Sequence, residues 1–284
     1  RERYDTVIDG EQFARFSALI TAFLGSARSI GFKTAGQGRH YLYTHPVMYD
    51  NTIHSTRWYA LLVEAAGVPH MERIEPVPLE FSRDAVLEVK SLLIAGGDVR
   101  RAKILMMHVG TSQNFYLRRW PIERYAELAD RLIATYGFVI VLTGLGDEAG
   151  LVRETYELIG NKDRTIDLSG ALTFGQFIAL ISLSALVISA DTAPVHLASA
   201  LGVPVIGLYG PNTPRLYGPW GKGGMALYKG IDCSPCITNF NAKINTCRHP
   251  DGQGTCMRLI SVEDVFDKLE KTYFDTVPLK MVEL

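Results

Sequence analysis

From residue 104 onward, short and nearly continuous apolar runs alternate with longer stretches whose apolar residues recur every three or four positions. The runs Ile104–His108, Phe138–Leu142, Thr165–Leu168, Ala185–Ser189 and Val205–Leu208 read as strands buried on both faces. The stretches Ile122–Tyr136, Asp147–Ile159, Phe174–Ser182 and Val195–Leu201 read as helices. Apolar strands alternating with helices predict a parallel sheet covered on both sides. That is a Rossmann-like domain, which takes ligands at the carboxyl ends of its strands. A last helix is expected over Val262–Tyr273, packing back across the domain boundary.

The first hundred residues are less regular. Tyr4–Asp9 is strand-like, and Gln12–Leu24 is helical with Phe13, Phe16, Leu19, Ile20 and Phe23 at helical spacing. Ser29–Phe32 is a short strand and residues 33–50 read as loop. Thr52–Ala66 is a helix stopped by Gly67, and 68–80 is irregular, with Pro69, Pro76 and Pro78. Ser82 caps a helix running to about Ala95, which Gly96-Gly97 ends. This places the domain boundary near Gly96–Arg101, with domains at 1–96 and 97–284.

The composition is that of an ordinary soluble protein: 284 residues, 47% hydrophobic, 21% charged and a formal net charge of −1. That length accommodates two domains, and the charge points away from nucleic acid. No run of eighteen apolar residues suggests a membrane span, and no signal peptide is evident. The chain opens at Arg1, without Met, directly before a strand-like segment, so an opening βαβ unit is expected to precede it.

Residues 189–211, SADTAPVHLASALGVPVIGLYGP, concentrate the chemistry. An apolar strand ends at Asp191-Thr192, a helix opens with Pro194 in its first turn, and Gly202 closes it before the next strand. Such a turn aims free backbone N–H groups at an anion. Asp191 or Thr192 is the natural N-cap, and His196 lies in the first helical turn. Other loops after strands add candidates. Gly110–Pro121 (GTSQNFYLRRWP) offers the hydroxyls of Thr111 and Ser112 and the charges of Arg118 and Arg119. Thr143–Gly150 (TGLGDEAG) offers Asp147 and Glu148, either as ribose acceptors or as acids favourable to a helix dipole. Thr173 is at least an N-cap. No GxGxxG opens a helix after a strand, which disfavours a nicotinamide-dependent dehydrogenase.

These segments resemble glycosyltransferase family 9, the heptosyltransferase-type enzymes. DTAPVHLASALGVPVIGLYGP is similar to the family's D-T-G-x-x-H-L-A-A-A-L-G-x-P run, and RRWPIERYAEL to its K-R-W-P-x-x-x-[FY]-A-E-L. YDTVIDGEQFARFSALI resembles its opening Y-D-x-V-I-D segment. The resemblance implies the two-domain GT-B architecture, two Rossmann-like domains with the N-terminal one truncated at its start. It implies inverting transfer of a heptose from ADP-heptose to the inner core of lipopolysaccharide, without a catalytic metal or other required cofactor. It also implies a cytoplasmic enzyme, peripheral to the inner face of the cytoplasmic membrane. The donor site implied comprises Thr111, Ser112, Arg118, Glu148, Leu172, Thr173, Asp191, Thr192, Ala193 and His196. Arg118 stands where the family has its phosphate-binding lysine. Leu172 and Thr173 belong to a loop, SGALT, that resembles the segment beside the adenine. Ala193 replaces the usual glycine, where a left-handed backbone would strain it. The general base is expected upstream of Arg1, with Asp9 the candidate within the chain. His54 and Arg57 are candidates for the acceptor side. Two alternatives share most of these loops: a GT-B transferase using another nucleotide-sugar, and a non-catalytic nucleotide-sugar binder.

Cys233, Cys236, Cys247 and Cys256 lie within 24 residues of one another in sequence order, beginning with a CxxC pair. Four thiolates on a structural zinc, a disulfide arrangement and free thiols all remain open on spacing. The family implied above has similar clusters that its chemistry does not need.

Overall fold

A computed structural model describes residues 3–77, 79–100, 102–237, 246–274 and 281. The chain divides into two compact units. The smaller holds residues 3–75 and 215–217, the larger 76–214, 218–237 and the described residues from 246 onward.

In the smaller unit, β1 (Thr6–Asp9), β2 (Arg28–Lys33) and β3 (His45–Met48) form a parallel sheet in the order β1-β2-β3. Helices α1 (Arg15–Leu24) and α2 (Ser55–Ala65) accompany it. Ile30 and Phe32 of β2 pack with Tyr49, Trp58, Leu62 and Leu216 into a small core. The third strand lies in the segment 33–50 that reads as loop. It is four residues long, includes Pro46 and is mostly exposed, so it carries no apolar alternation. On α1 the stripe Phe16, Leu19, Ile20 and Phe23 has the predicted helical spacing but is exposed, while Ala18 and Thr21 are buried.

The larger unit is built on six parallel strands: β4 (Ile104–His108), β5 (Val139–Thr143), β6 (Thr165–Asp167), β7 (Leu186–Ala190), β8 (Val205–Tyr209) and β9 (Gly224–Tyr228). Their spatial order is β6-β5-β4-β7-β8-β9. The strand order therefore reverses at β4, leaving a crevice between β4 and β7 at the carboxyl edge. This is the topological switch point of a doubly wound sheet. Strands β4, β5, β7 and β8 are buried at every position, as their unbroken apolar runs require.

Helices cover both faces. On one side α4 (Ile122–Tyr136) buries Tyr125, Leu128, Leu132 and Ile133, and ends at Gly137, whose φ of 69° gives the left-handed turn that closes the helix. Helix α5 (Ala149–Leu158) lies against α4 and buries Val152. On the other side α3 (Arg83–Gly96), α6 (Phe174–Leu183) and α7 (Ala193–Ala200) share a core with Met106, Val141 and Val187. Two short helices, α8 (Pro214–Tyr217) and α9 (Thr255–Arg258), precede α10 (Val262–Leu269).

Two boundaries differ from the sequence-based expectation. The chain divides between Glu75 and Pro76, not near residue 96. Helix α3 turns its buried stripe Ala85, Val89 and Leu93 onto the larger sheet, and Gln176 of α6 donates to Glu88 at 2.8 Å. Gly96-Gly97 thus ends a helix rather than marking a linker. Likewise α10 packs on α4 and inserts Val265, Phe266 and Leu269 into the larger unit's own core. Among the described residues no helix is long and apolar enough to cross a membrane.

Candidate functional site

Strands β4, β5, β6 and β7 end around a cavity of about 410 Å³. One wall is apolar, formed by Leu168, Leu172, Phe174, Phe177, Pro194 and Leu197. The rest carries Thr111, Ser112, Thr143, Glu148, Thr173 and Thr192, with backbone at Gly144, Gly146 and Gly170, His108 and Ala193. Seven of the ten predicted donor-site residues line it: Thr111, Ser112, Glu148, Leu172, Thr173, Thr192 and Ala193.

The loop after β4 is braced by its own arginine. Arg119 Nε donates to Thr111 Oγ1 at 3.2 Å, and its Nη2 donates to the Thr111 carbonyl at 3.2 Å. Trp120 beside it is buried and donates from Nε1 to the Ile260 carbonyl at 2.8 Å, so the loop's exit is fixed to the core. Of the adjacent pair, Arg119 is thus structural, whereas Arg118, which like Asp191 does not line the cavity, turns to the loop after β7.

Arg118 Nη1 donates to the Asp191 carbonyl at 3.1 Å and lies 3.4 Å from its carboxylate. Its guanidinium sits 4.3 Å from the centre of the Phe115 ring. Arg118 Nε is buried and has no hydrogen-bond partner among the described residues. Sealed at Nε and anchored at Nη1, this cation can meet an anion only through its remaining edge, Nη2.

Asp191 is buried. Its Oδ2 accepts from Asn212 Nδ2 at 2.9 Å, and its N–H donates to the Leu208 carbonyl at 3.1 Å. Asp191 is therefore an anchor for Arg118 rather than a helix cap. Thr192 holds the N-cap of α7 without a side-chain bond to the helix, because its hydroxyl is engaged with Ser189 Oγ at 2.9 Å. The N-terminus of α7 is left without a side-chain cap, and Thr192, Ala193 and Pro194 bring it to the cavity wall. Ala193 takes an ordinary helical conformation. The only described non-glycine residue with positive φ is Gln253, so alanine is unstrained in the glycine position. His196 is exposed and is not part of the cavity wall. Surrounding protein nonetheless holds its imidazole below the ordinary value, against the opposing charge of Asp191.

Glu148 is buried, and its Oε2 accepts the Leu145 N–H at 2.8 Å, closing the turn after β5. The carboxylate presses on the Cα of Gly110, where a Cβ would overlap it. Asp147 is exposed and does not line the cavity. Thr173 caps α6 by a reciprocal pair with Gln176, donating its N–H to Oε1 at 2.8 Å and accepting the Gln176 N–H at 3.3 Å.

Sequence reasoning missed His108, Thr143, Phe177 and Asn212. His108 and Thr143 are the last residues of β4 and β5, in register with each other, with Nδ1 3.0 Å from Thr143 Oγ1. Their signal was present, since a polar residue closing an apolar strand at the carboxyl edge faces the ligand side. Phe177 is half-buried on α6 and meets the His108 ring edge-on, centroids 5.7 Å apart. Burial pushes the His108 imidazole down to about 4, so it is neutral at physiological pH.

In the smaller unit Asp9 is not free to act as a base. Its Oδ2 accepts from Arg39 Nη2 at 2.7 Å and from Tyr43 OH at 2.6 Å, and its Oδ1 accepts the Glu11 N–H at 3.0 Å. With Arg39 fully buried and donating also to the Glu11 carbonyl, this is a brace at the end of β1. Burial and the Asp9 charge push the Tyr43 phenol up, beyond its ordinary range. His54 caps α2, accepting the Thr56 N–H at 3.2 Å, and Arg57 pairs with Glu64 at 2.7 Å.

The four cysteines are free thiols, Cys236 and Cys256 buried and Cys233 and Cys247 half-buried. Each of the buried pair feels the charge of its neighbours, which adds to burial in raising its pKa. Among the described residues no group of three or more metal-ligating side chains is arranged to hold an ion.

The sequence pattern of glycosyltransferase family 9 (heptosyltransferase) matches residues 1–244. Lipopolysaccharide heptosyltransferase 1 of Pseudomonas aeruginosa is 23% identical over 249 residues, covering 82% of this chain and 62% of that protein. The chain thus spans less than two thirds of that relative's length. The family 9 glycosyl transferase of Veillonella parvula superposes with a TM-score of 0.75 at 22% identity, over 95% of this chain and 74% of that one. Escherichia coli heptosyltransferase WaaC, in a structure with ADP, superposes with a TM-score of 0.66 at 21% identity, over 96% and 74%. Its α/β units with parallel sheets have the GT-B-type fold of these enzymes, and the chain belongs to glycosyltransferase family 9.

Proposed function

We propose that this chain transfers a heptose from ADP-heptose to the inner core of lipopolysaccharide, inverting the anomeric carbon and using no catalytic metal. The observation that carries the reading is the cavity at the β4/β7 switch point, where an apolar wall meets hydroxyls and the uncapped N-terminus of α7, with Arg118 held just outside the lining by Asp191. Leu172, Phe174, Phe177 and Leu197 suit the flat face of a base. Thr111, Ser112, the α7 N-terminus and Arg118 suit a diphosphate. ADP is the nucleotide named for the WaaC structure, which supports the choice of base.

In this reading the acceptor oxygen attacks the anomeric carbon from the face opposite the diphosphate. The bond from carbon to the β-phosphate oxygen breaks, and the acceptor's proton passes to a carboxylate. The hydrogen bonds of Asp9 to Arg39 and Tyr43 disfavour it for that role. Arg118 and the amide end of α7 stabilise charge growing on the leaving diphosphate. Because Asp191, Asn212 and Phe115 already hold this cation, little reorganisation accompanies the step. Such an acceptor places the enzyme's work at the cytoplasmic face of the inner membrane.

Titration calorimetry with ADP, UDP and NAD tests the donor site, and ADP release from ADP-heptose with a lipopolysaccharide-core acceptor tests the transfer. ADP is expected to bind best of the three. Equal or tighter binding of NAD overturns the reading, and tighter binding of UDP moves it to another nucleotide-sugar.

A further inference from the structure

His108 sits where the sheet's strand order reverses, as the last residue of β4, flanked in register by Thr143 of β5 and Ser189 of β7. It is 7% exposed and belongs to the cavity wall. Its carbonyl accepts from the buried Tyr125 hydroxyl at 3.3 Å, and its Nδ1 lies 3.0 Å from Thr143 Oγ1. The Phe177 ring meets it at 71°, which fixes the imidazole plane from a third direction. Nε2 has no hydrogen-bond partner among the described residues, and it is not among their sealed, unpartnered polar atoms. A nine-tenths buried side chain with one nitrogen anchored and the other open on a cavity is built to meet a ligand atom.

We infer that His108 recognises the nucleoside part of the donor through Nε2, with Thr143 as the residue that positions its ring. The inference rests on the donor-pocket reading above and adds to it a specificity-determining contact. Two observations assign the contact to the nucleoside rather than to the diphosphate. His108 adjoins Phe177 of the apolar wall, whereas the anion-attracting groups are the uncapped N-terminus of α7 and, outside the cavity lining, Arg118. Burial also keeps the imidazole uncharged, so it has no cation to offer a phosphate. A neutral imidazole pairs with a hydroxyl, an amine or a ring nitrogen. The Thr143 hydroxyl can give or take a proton at Nδ1, so Nε2 can serve as acceptor or donor.

Calorimetry with ADP, adenosine and inorganic diphosphate on the unmodified chain and on His108→Leu, His108→Gln and Thr143→Val tests it. His108→Leu should weaken adenosine and ADP by the same factor, on the order of tenfold for one lost hydrogen bond, and leave diphosphate unchanged. His108→Gln places a polar atom near the position of Nε2 and should recover most of the loss. Thr143→Val, which keeps the ring but frees it, should give a smaller loss shared equally by adenosine and ADP. Should the Leu variant not fold, the Gln and Val variants carry the comparison. Unchanged adenosine affinity in all variants, or a loss confined to ADP and diphosphate, overturns the inference while leaving the donor pocket standing. Failure of the unmodified chain to bind either ADP or adenosine overturns the donor-pocket reading itself, and this inference with it.

Discussion

Arg118 and Asp191, 73 residues apart in sequence, meet twice: Nη1 donates to the Asp191 carbonyl at 3.1 Å and lies 3.4 Å from its carboxylate. Asn212 donates to that same carboxylate oxygen, Oδ2, and Phe115 lies against the guanidinium. The loop after β4 is thereby tied to the loop after β7, across the switch point. A planar guanidinium anchored at Nη1 and packed on Phe115 loses little freedom when its remaining edge meets an anion. The motif resemblance sets a lysine at this position, and the arginine suits the same proposed role. The charge is retained, and Asp191 and Asn212 aim it.

If that remaining edge holds a diphosphate, Arg118→Ala should weaken ADP binding by about 1.5–3 kcal/mol, the range for hydrogen bonds to charged groups. Adenosine should bind nearly as before. Calorimetry with the two ligands decides it, because an equal loss for both would point to damaged packing between the two loops. Arg118→Lys should fall between, since an ammonium keeps the charge but not both contacts to Asp191.

Gly110 packs closely against Glu148, which lines the cavity. A methyl at residue 110 would overlap the Glu148 carboxylate, which accepts the Leu145 N–H. Gly110→Ala should therefore destabilise the fold by about 1–3 kcal/mol through overpacking, and weaken ADP as Glu148 is displaced. Glu148→Ala in the same chain removes the obstruction. The two substitutions should then be less damaging together than their sum, a non-additivity that thermal unfolding of the four proteins measures.

The doubly wound sheet was legible because its strands are buried on both faces: β4, β5, β7 and β8 each read as an unbroken apolar run. What escaped were the edges. Pro46 and exposed His45 hide β3, and β9 is only half-buried throughout, so neither has a periodicity to read. The larger error, placing α3 with the N-terminal part, has a similar cause. Gly96-Gly97 ends a helix and reads like a linker, and no local pattern says which sheet the stripe Ala85, Val89 and Leu93 will cover.

The site was legible wherever a residue follows its strand, as with Thr111, Thr192 and the SGALT loop. It was obscure where roles depend on partners distant in sequence. Nothing local distinguishes Arg118 from Arg119, yet one meets Asp191 and the other Thr111. Asp9 ends a strand as a catalytic acid could, but Arg39 and Tyr43 reach it from thirty and more residues away and neutralise that role.

The cysteines should differ in reactivity. Burial raises the Cys256 thiol to about 12, with the nearby Cys236 adding to the shift, and Cys236 is raised for the same reasons. At pH 8 a thiol reagent should modify Cys233 and Cys247 first and Cys256 last, since only the thiolate reacts. Mass spectrometry of partly alkylated protein gives the order, and elemental analysis of the same sample gives the metal content. About one zinc per chain with four masked thiols would show that these side chains close on a metal in solution.

The last expectation concerns acid stability. The His108 pKa falls from 6.5 to about 4 on folding, because the buried ring resists charge. Between those values the unfolded chain binds a proton that the folded chain refuses, so this residue makes stability rise with pH. Its contribution is fully present above pH 6.5, declines as the pH falls, and is gone below about 4. A shift of that size corresponds to about 3 kcal/mol across the window, of which about 2 kcal/mol should already be lost at pH 4.5. Urea unfolding at pH 7 and pH 4.5 measures the decline, and His108→Gln isolates its source. Depressed carboxylates such as Glu64, and His196, whose pKa is also lowered, weaken the fold in acid in both proteins. Only the difference between the two declines belongs to His108. The Gln variant, lacking the titrating ring, should lose about 2 kcal/mol less than the unmodified chain between the two pH values. Identical declines would mean that the ring takes up its proton as readily in the folded chain as in the unfolded one. The imidazole would then be open to water rather than packed beneath Phe177 and Thr143.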